Sequence, residues 1–511
     1  MIKITNFSIT TENAAARLIQ PLEINGEKME IYAEVASENA KYFVTDRADA
    51  LVIGILPLAQ RQNYDIYSDL PISGELLYSL NNILIPMLAK YDSTLSNIKI
   101  HANPINTPVE TCGAVGTGIS LGADALTTIA QYHKHPVEKM RLTHFLSFDS
   151  GAFGGYFQES GWDFQANLIY QQQQALADEI NLPLIKINSN LTKLIKLRTD
   201  VWAEYYSAYY VFSLGKLFSR YYYSSAGFDY SQFMIVPNSN FFAPNHYALL
   251  FNQVVSGNLT LLSGGGELTR YQKMQILSEN PLAQKYLHSC LTQAFNCGVC
   301  QKCKRNLLTL DALNCLDNFS AVYDIEYYKA NREEYFYYLC SLKKDNILAL
   351  EHYLSETYNT LKARNPKTFA KIEEQFTAAK ILELRKANKN IQNRLNFMFK
   401  FAKNPKSIEN TADFFEQKGY KNVILYGQNG ITDLLATLQS QLNINITHVV
   451  ENTTRTTKIP RLPIKTVDYP PTDAVIICAL NDKEVIYKKL QQRLTVPIHF
   501  ANEILNHVKK D

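Results

Sequence analysis

Four of the eight cysteines crowd into CLTQAFNCGVCQKC, spaced as Cys290-x6-Cys297-x2-Cys300-x2-Cys303. Four thiolates close a tetrahedral Zn²⁺ shell, and the two short spacers suit a compact knuckle. Gly298 eases the turn, and Lys302, Lys304 and Arg305 offset the thiolate charge. Such a shell leaves no open coordination position, so the expected metal is structural. The competing reading is a set of buried free thiols. His288 is expected as a surface or outer-shell neighbour. Cys112, Cys315, Cys340 and Cys478 are scattered and read as core residues.

A second concentration lies in GTGISLGADALTTI, 116–129. An apolar strand feeds Ser120-Leu121-Gly122-Ala123-Asp124, and a helix begins near Ala123. Gly116 and Gly118 permit close backbone approach, and a helix N-terminus beside a strand end favours an anion such as phosphate. The Lys-Ser/Thr pair of a Walker A loop is missing. A plain strand-to-helix turn remains the alternative. SGGGELTRYQK, 263–273, places Arg270 and Lys273 on one face of a helix that Thr269 caps. There they would clamp phosphate charge; the alternative, stronger for Lys273, is a solvated helix start. Asp149, after the strand 141–148, is a candidate for a substrate-facing loop, and a long surface loop is its alternative. Phe228 could stack on a planar base whose N–H groups Asp229 accepts, where an ordinary turn with a core Phe is the alternative.

These residues need a scaffold that brings strand ends together. Residues 106–320 alternate strand (114–120, 141–148, 182–188, 220–226, 258–264) with helical stretches, which implies a parallel sheet with helices on both faces. Ligands on such sheets bind at the carboxyl ends of the strands. Residues 1–105 mix strands (28–35, 96–102) with helices at 49–60, which Pro57 should kink or end, and 74–91. A helical connector, 321–404, leads to a second alternating segment, 405–511. In it Gly427 and Gly430 follow a strand and Glu451 ends the next one, loosely like a dinucleotide fingerprint, although Asn429 and Thr432 replace glycines. The expected fold class is multidomain α/β with a Rossmann-like C-terminal domain.

The chain has 511 residues, too many for one core. Its 46% hydrophobic and 19% charged residues fit a folded protein, and a net charge of +3 makes no case for nucleic acid. The 32 tyrosines read as core and interface packing. No apolar run reaches membrane-spanning length, and MIKITNFSIT lacks a signal-peptide core, so a cytoplasmic location is expected.

Ser120, Gly122 and Asp124 match by position the Ser-Gly-Gly-x-Asp-Ser loop, so this segment resembles the PP-loop of the nucleotide alpha-hydrolase-like ATP pyrophosphatases. Leu121 stands at the first Gly and Ala125 at the final Ser. With the four-cysteine site downstream, residues 110–320 resemble the 7-cyano-7-deazaguanine synthase family. That resemblance implies a central PP-loop domain beside a zinc knuckle, binding ATP and Mg²⁺ across Ser120, Gly122 and Asp124. It implies cleavage of ATP to AMP and pyrophosphate, with adenylation of a carboxylate or amide oxygen and displacement of AMP by an amine or ammonia. Ser120 would hold phosphate, Asp124 would position metal or the attacking group, and Arg270 and Lys273 would neutralise charge. Segments outside the resemblance, with Leu121 and Ala125, point to a changed acceptor, a small-molecule or peptide carboxylate, and leave the terminal domains for a protein partner. Two other functions fit the same motifs: a decayed loop kept for nucleotide binding or scaffolding, and tRNA sulfur transfer, for which Cys112 is the candidate thiol.

Overall fold

A computed structural model describes residues 1–148, 162–195, 199–225, 254, 257–290, 293–344, 354–377, 406–427, 430–450, 459, 461–462, 469–478 and 483–505. The chain divides into two compact units, Met1–Glu373 and Glu374–Asp511. It is α/β, with one mixed sheet and two parallel sheets of five strands.

The first unit opens with hairpins. Asn25 and Gly26, both at positive φ, join Ala15–Ile24 to Glu27–Ala36, and Asn13 and Ala14 join Ser8–Glu12 to Ala15–Ile24. Two successive left-handed residues make the turn that matches strand twist. The long pair alternates buried and exposed residues, so one face covers the core and the other meets water. Ile2–Ile4 continues this sheet antiparallel to Ala15–Ile24 and parallel to Ile66–Ser68. The helix Asp49–Gln62 is buried along most of its length and runs through Pro57 without ending. Packing against the helix Thr199–Ser213 outweighs the local preference that predicts a break. The stretch 74–91 is helical throughout, with a π-turn at Leu80–Leu84.

The central sheet is wholly parallel, in the order Leu184–Lys186, His144–Ser147, Ala114–Gly118, Phe218–Ser224, Thr260–Gly264. Numbered along the chain, that order is 3-2-1-4-5. The first strand, Ala114–Gly118, therefore stands where the winding reverses, and its carboxyl end opens onto the crevice where such sheets take ligands. Ala114, Val115, Gly116 and Thr117 are all buried, as covered faces require. Gly116 serves packing here: a Cβ on it would lie 2.3 Å from Phe218 Cε1.

The second unit repeats the topology. Arg461–Leu462, Asn445–Val450, Asn422–Tyr426, Ala474–Ile477 and Ile498–Phe500 form a parallel sheet, again 3-2-1-4-5. Gly427 has a positive φ directly after its first strand, and the helix Gly430–Leu438 follows. Asn429 and Glu451 lie outside the described residues. Among the described residues no helix is long and apolar enough to cross a membrane.

Gly116→Val should lower stability by about 1–3 kcal/mol, the usual cost of overpacking a tight core. A urea melt checks this, and an unchanged midpoint would show that Phe218 has room to move.

Candidate functional site

The loop between Ala114–Gly118 and the helix Ala123–Tyr132 turns on Leu121, whose φ is +60°. A left-handed backbone costs a branched residue about 1–2 kcal/mol, which glycine avoids. Leu121 holds it because its side chain is fully buried and its carbonyl accepts from His288 N at 2.9 Å. His288 is itself buried rather than at the surface, and its ring Nε2 lies 3.0 Å from the Gln293 carbonyl. The segment leading into the cysteines thus pins the loop through its backbone. Ser120 Oγ accepts from Gly122 N at 3.4 Å. No side chain caps the helix at Gly122, so its first-turn N–H groups offer an anion site. Ala125 is buried, facing inward.

Asp124, in that first turn, is gripped by two cations. Arg270 Nη2 lies 2.9 Å from Oδ2, and Lys273 Nζ lies 2.9 Å from Oδ1. Both come from the helix Arg270–Ser278, whose start is fixed by a capping box between Thr269 and Gln272. This helix packs against Ala123–Tyr132 and against Gln301–Ala312. Burial of Asp124 favours its neutral form, but Arg270 and Lys273 outweigh it and hold the carboxyl down at about 2. Lys273 is fully buried, and its ammonium also donates to Ser225 Oγ at 2.6 Å and the Ser225 carbonyl at 3.2 Å. Its three protons are thereby engaged, so Lys273 is a buried counterion rather than a solvated helix-start residue. Each Asp124 oxygen accepts one of these bonds and keeps a further lone pair. Neighbouring strand ends complete the floor: Thr128 Oγ1 donates to Ser224 Oγ at 2.9 Å, and Ser225 Oγ to the Gly265 carbonyl at 3.1 Å.

The four cysteines converge. The sulfurs of Cys290, Cys297, Cys300 and Cys303 all lie within 4.8 Å of one another. A tetrahedron with Zn–S bonds of about 2.3 Å needs S···S separations of about 3.8 Å, so this set fits a metal such as zinc. Neighbouring Cys290 and Cys300 sulfurs, with burial, drive the Cys303 thiol far above its ordinary range, which is the crowding a divalent cation relieves. Gly298 adopts a φ of +74° between two of the cysteines, and Cys300 N donates to Cys297 Sγ at 3.3 Å.

The basic residues of the knuckle divide. Lys304 lies over the ring of Tyr338 at 5.0 Å. Lys302 lies partly buried in the electrostatic neighbourhood of Arg305, Arg270 and Asp124; burial and the two arginines pull its pKa down. The knuckle thus brings positive charge to a site where one carboxylate already answers two cations. Sequence spacing showed Lys302 only as a partner for thiolates. Its second neighbourhood depends on two helices packing, which spacing does not encode.

Cys112 is exposed and precedes the Ala114 strand, at the end of the sheet opposite the loop. Asp149, Phe228 and Asp229 lie outside the described residues. The chain matches no family model, no curated protein and no solved structure.

Two outcomes are expected. Purified protein should carry about one zinc per chain, lost in Cys303→Ser and on chelation with a fall in melting temperature. Metal analysis showing none under reducing purification would contradict this. The Asp124 ion cluster should stabilise fully above the ordinary carboxylate value of 3.8 and lose its effect as pH falls through about 2. Asp124→Asn should therefore cost about 2–3 kcal/mol at neutral pH, with the difference closing in strong acid. Urea melts across pH would read it.

Proposed function

We propose that the first unit is an ATP-dependent adenylating enzyme whose Ser120–Asp124 loop is a PP-loop, related to 7-cyano-7-deazaguanine synthase with its own acceptor. One observation carries this reading: an uncapped helix N-terminus at the sheet's switch point, whose first-turn Asp124 is held by Arg270 and Lys273. The left-handed Leu121 supports it, because that conformation is the one a glycine at this position would supply. Phosphate oxygens would meet the first-turn N–H groups and Ser120, and Arg270 would face the charge that develops on leaving pyrophosphate. Mg²⁺ would arrive on the nucleotide, and Asp124 would help to position it or the attacking group. A carboxylate or amide oxygen would attack the α-phosphorus and release pyrophosphate. An amine or ammonia would then attack the activated carbon, lose a proton to solvent and displace AMP. The zinc would be structural, holding Lys302 and the His288 backbone in place. In the second unit a Rossmann-like role for the Gly427 turn is part of the same proposal.

A second reading, nucleotide binding without turnover, draws on Lys273, whose donors are all engaged within the protein. Incubation with ATP, Mg²⁺ and ammonia, with and without 7-carboxy-7-deazaguanine, separates the two. Turnover predicts AMP and pyrophosphate, with release falling at least about a hundredfold in Asp124→Ala, the scale of one lost electrostatic contact at a reacting centre. Wild-type rates in Asp124→Ala would sink the assignment. ATP binding with no AMP under any acceptor would favour the second reading.

A further inference from the structure

Residues 287–289, between the helix Pro281–Tyr286 and the cysteines, have no regular secondary structure. Yet they carry the backbone bond that holds the loop, from His288 N to the Leu121 carbonyl at 2.9 Å. A segment outside helix and sheet must find partners for its backbone polar groups elsewhere. Asn296, directly before Cys297, supplies them. Its Nδ2 donates to the Leu287 carbonyl at 2.7 Å and to the Val322 carbonyl at 3.0 Å, and its Oδ1 accepts from Ser289 N at 2.9 Å. Two carbonyls and one N–H fix which way the amide points, and both of its protons are committed. The same Oδ1 lies 3.8 Å from Cys303 Sγ. Asn296 thus brackets His288 on both sides, through Leu287 and Ser289, while it touches one sulfur of the cluster and adjoins another.

A second route runs beside it. Ser289 Oγ lies 2.7 Å from Tyr323 Oη, which accepts from Asn306 Nδ2 at 3.3 Å. Tyr323 and Asn306 are buried, and Asn306 belongs to the helix Gln301–Ala312, which carries Cys303. At the far end stands a turn that does little to hold itself. Leu121 keeps a left-handed backbone, a conformation that persists only where its surroundings impose it. The local bond across the turn, from Gly122 N to Ser120 Oγ, is long at 3.4 Å. The geometry therefore leans on the bond from His288 and on the burial of the Leu121 side chain.

We propose that Asn296 is a positioning residue that makes the order of the Ser120–Gly122 turn depend on metal at the four sulfurs. Sulfurs gathered on one ion fix Asn296 and the helix bearing Asn306; these fix residues 287–289, and His288 fixes Leu121. The metal is then a condition for the shape of the loop and not only a contribution to overall stability. This goes beyond the adenylation reading, and it applies equally to a loop that binds phosphate without turnover.

Hydrogen–deuterium exchange of the full chain, read by mass spectrometry in zinc-loaded protein and after chelation, provides the test. Peptides covering residues 119–126 and 285–290 report on the loop and on the His288 amide, and the hairpin 15–36 is the control. Stripping the metal should speed exchange at least about tenfold in both reporter peptides, the scale of one lost hydrogen bond, and leave the hairpin unchanged. Asn296→Ala, verified to hold its zinc, should show the same acceleration with the metal in place, and chelation should add little. A residue that served only the stability of the knuckle would leave the loop protected for as long as zinc was bound. Tyr323→Phe, which removes only a hydroxyl, should loosen both peptides by a smaller factor, and it covers the case where Asn296→Ala does not fold or takes up no zinc. A loop equally protected with and without metal, or exchange that rises alike in the hairpin, overturns the proposal. So does wild-type protection in zinc-loaded Asn296→Ala, or in Tyr323→Phe where that variant stands in for it, and so does a chain that binds no zinc. Magnesium pyrophosphate binding alongside any of these results would leave the adenylation reading standing, with the loop held by its own contacts.

Discussion

Asp124 lies between Arg270 and Lys273 at the first turn of a helix, and the carboxyl edge of the central sheet is organised around that contact. Its partial burial favours the neutral acid; two cations at 2.9 Å keep it ionised. Lys273 meets the same constraint from the other side, since an ammonium without water must find three acceptors. It finds them in Asp124 and Ser225, which ties the helix Arg270–Ser278 to the helix Ala123–Tyr132 and to the end of the strand Phe218–Ser224. Three elements distant in sequence are thereby registered on one another to hydrogen-bond accuracy.

The cysteine knuckle joins this assembly at two points. Its approach segment holds Leu121 by a backbone bond from His288, and its helix brings Lys302 toward Arg270. Metal at the four sulfurs would therefore order a loop and a charge together. Such coupling would give a metal at these sulfurs a structural role, supplying rigidity where the chain has few regular elements of its own.

The central parallel sheet was legible because covered strands read as apolar runs, and its five strands lie where those runs predict. The cysteine cluster was legible from spacing alone, as was the Thr269 cap. What escaped depended on partners far along the chain. Ala15–Ile24 escaped although Asn25-Gly26 is a strong hairpin signal, because Pro21 inside the run argues against a strand. Pro57 misled because a helix buried along most of its length tolerates a local penalty. Asn296 sits among the cysteines with no signal of its own, and only the structure shows its amide joining Leu287, Ser289 and Val322.

The central claim is that the Ser120–Asp124 loop and its cations form a phosphate site. Calorimetric titration of zinc-loaded protein with magnesium pyrophosphate addresses it without requiring the acceptor. Binding should be saturable, weaken as salt rises, and fall at least about tenfold in Arg270→Met, as loss of a charged contact predicts. No binding by wild type, or equal binding by Arg270→Met, would show instead that the charges at this edge serve the fold alone.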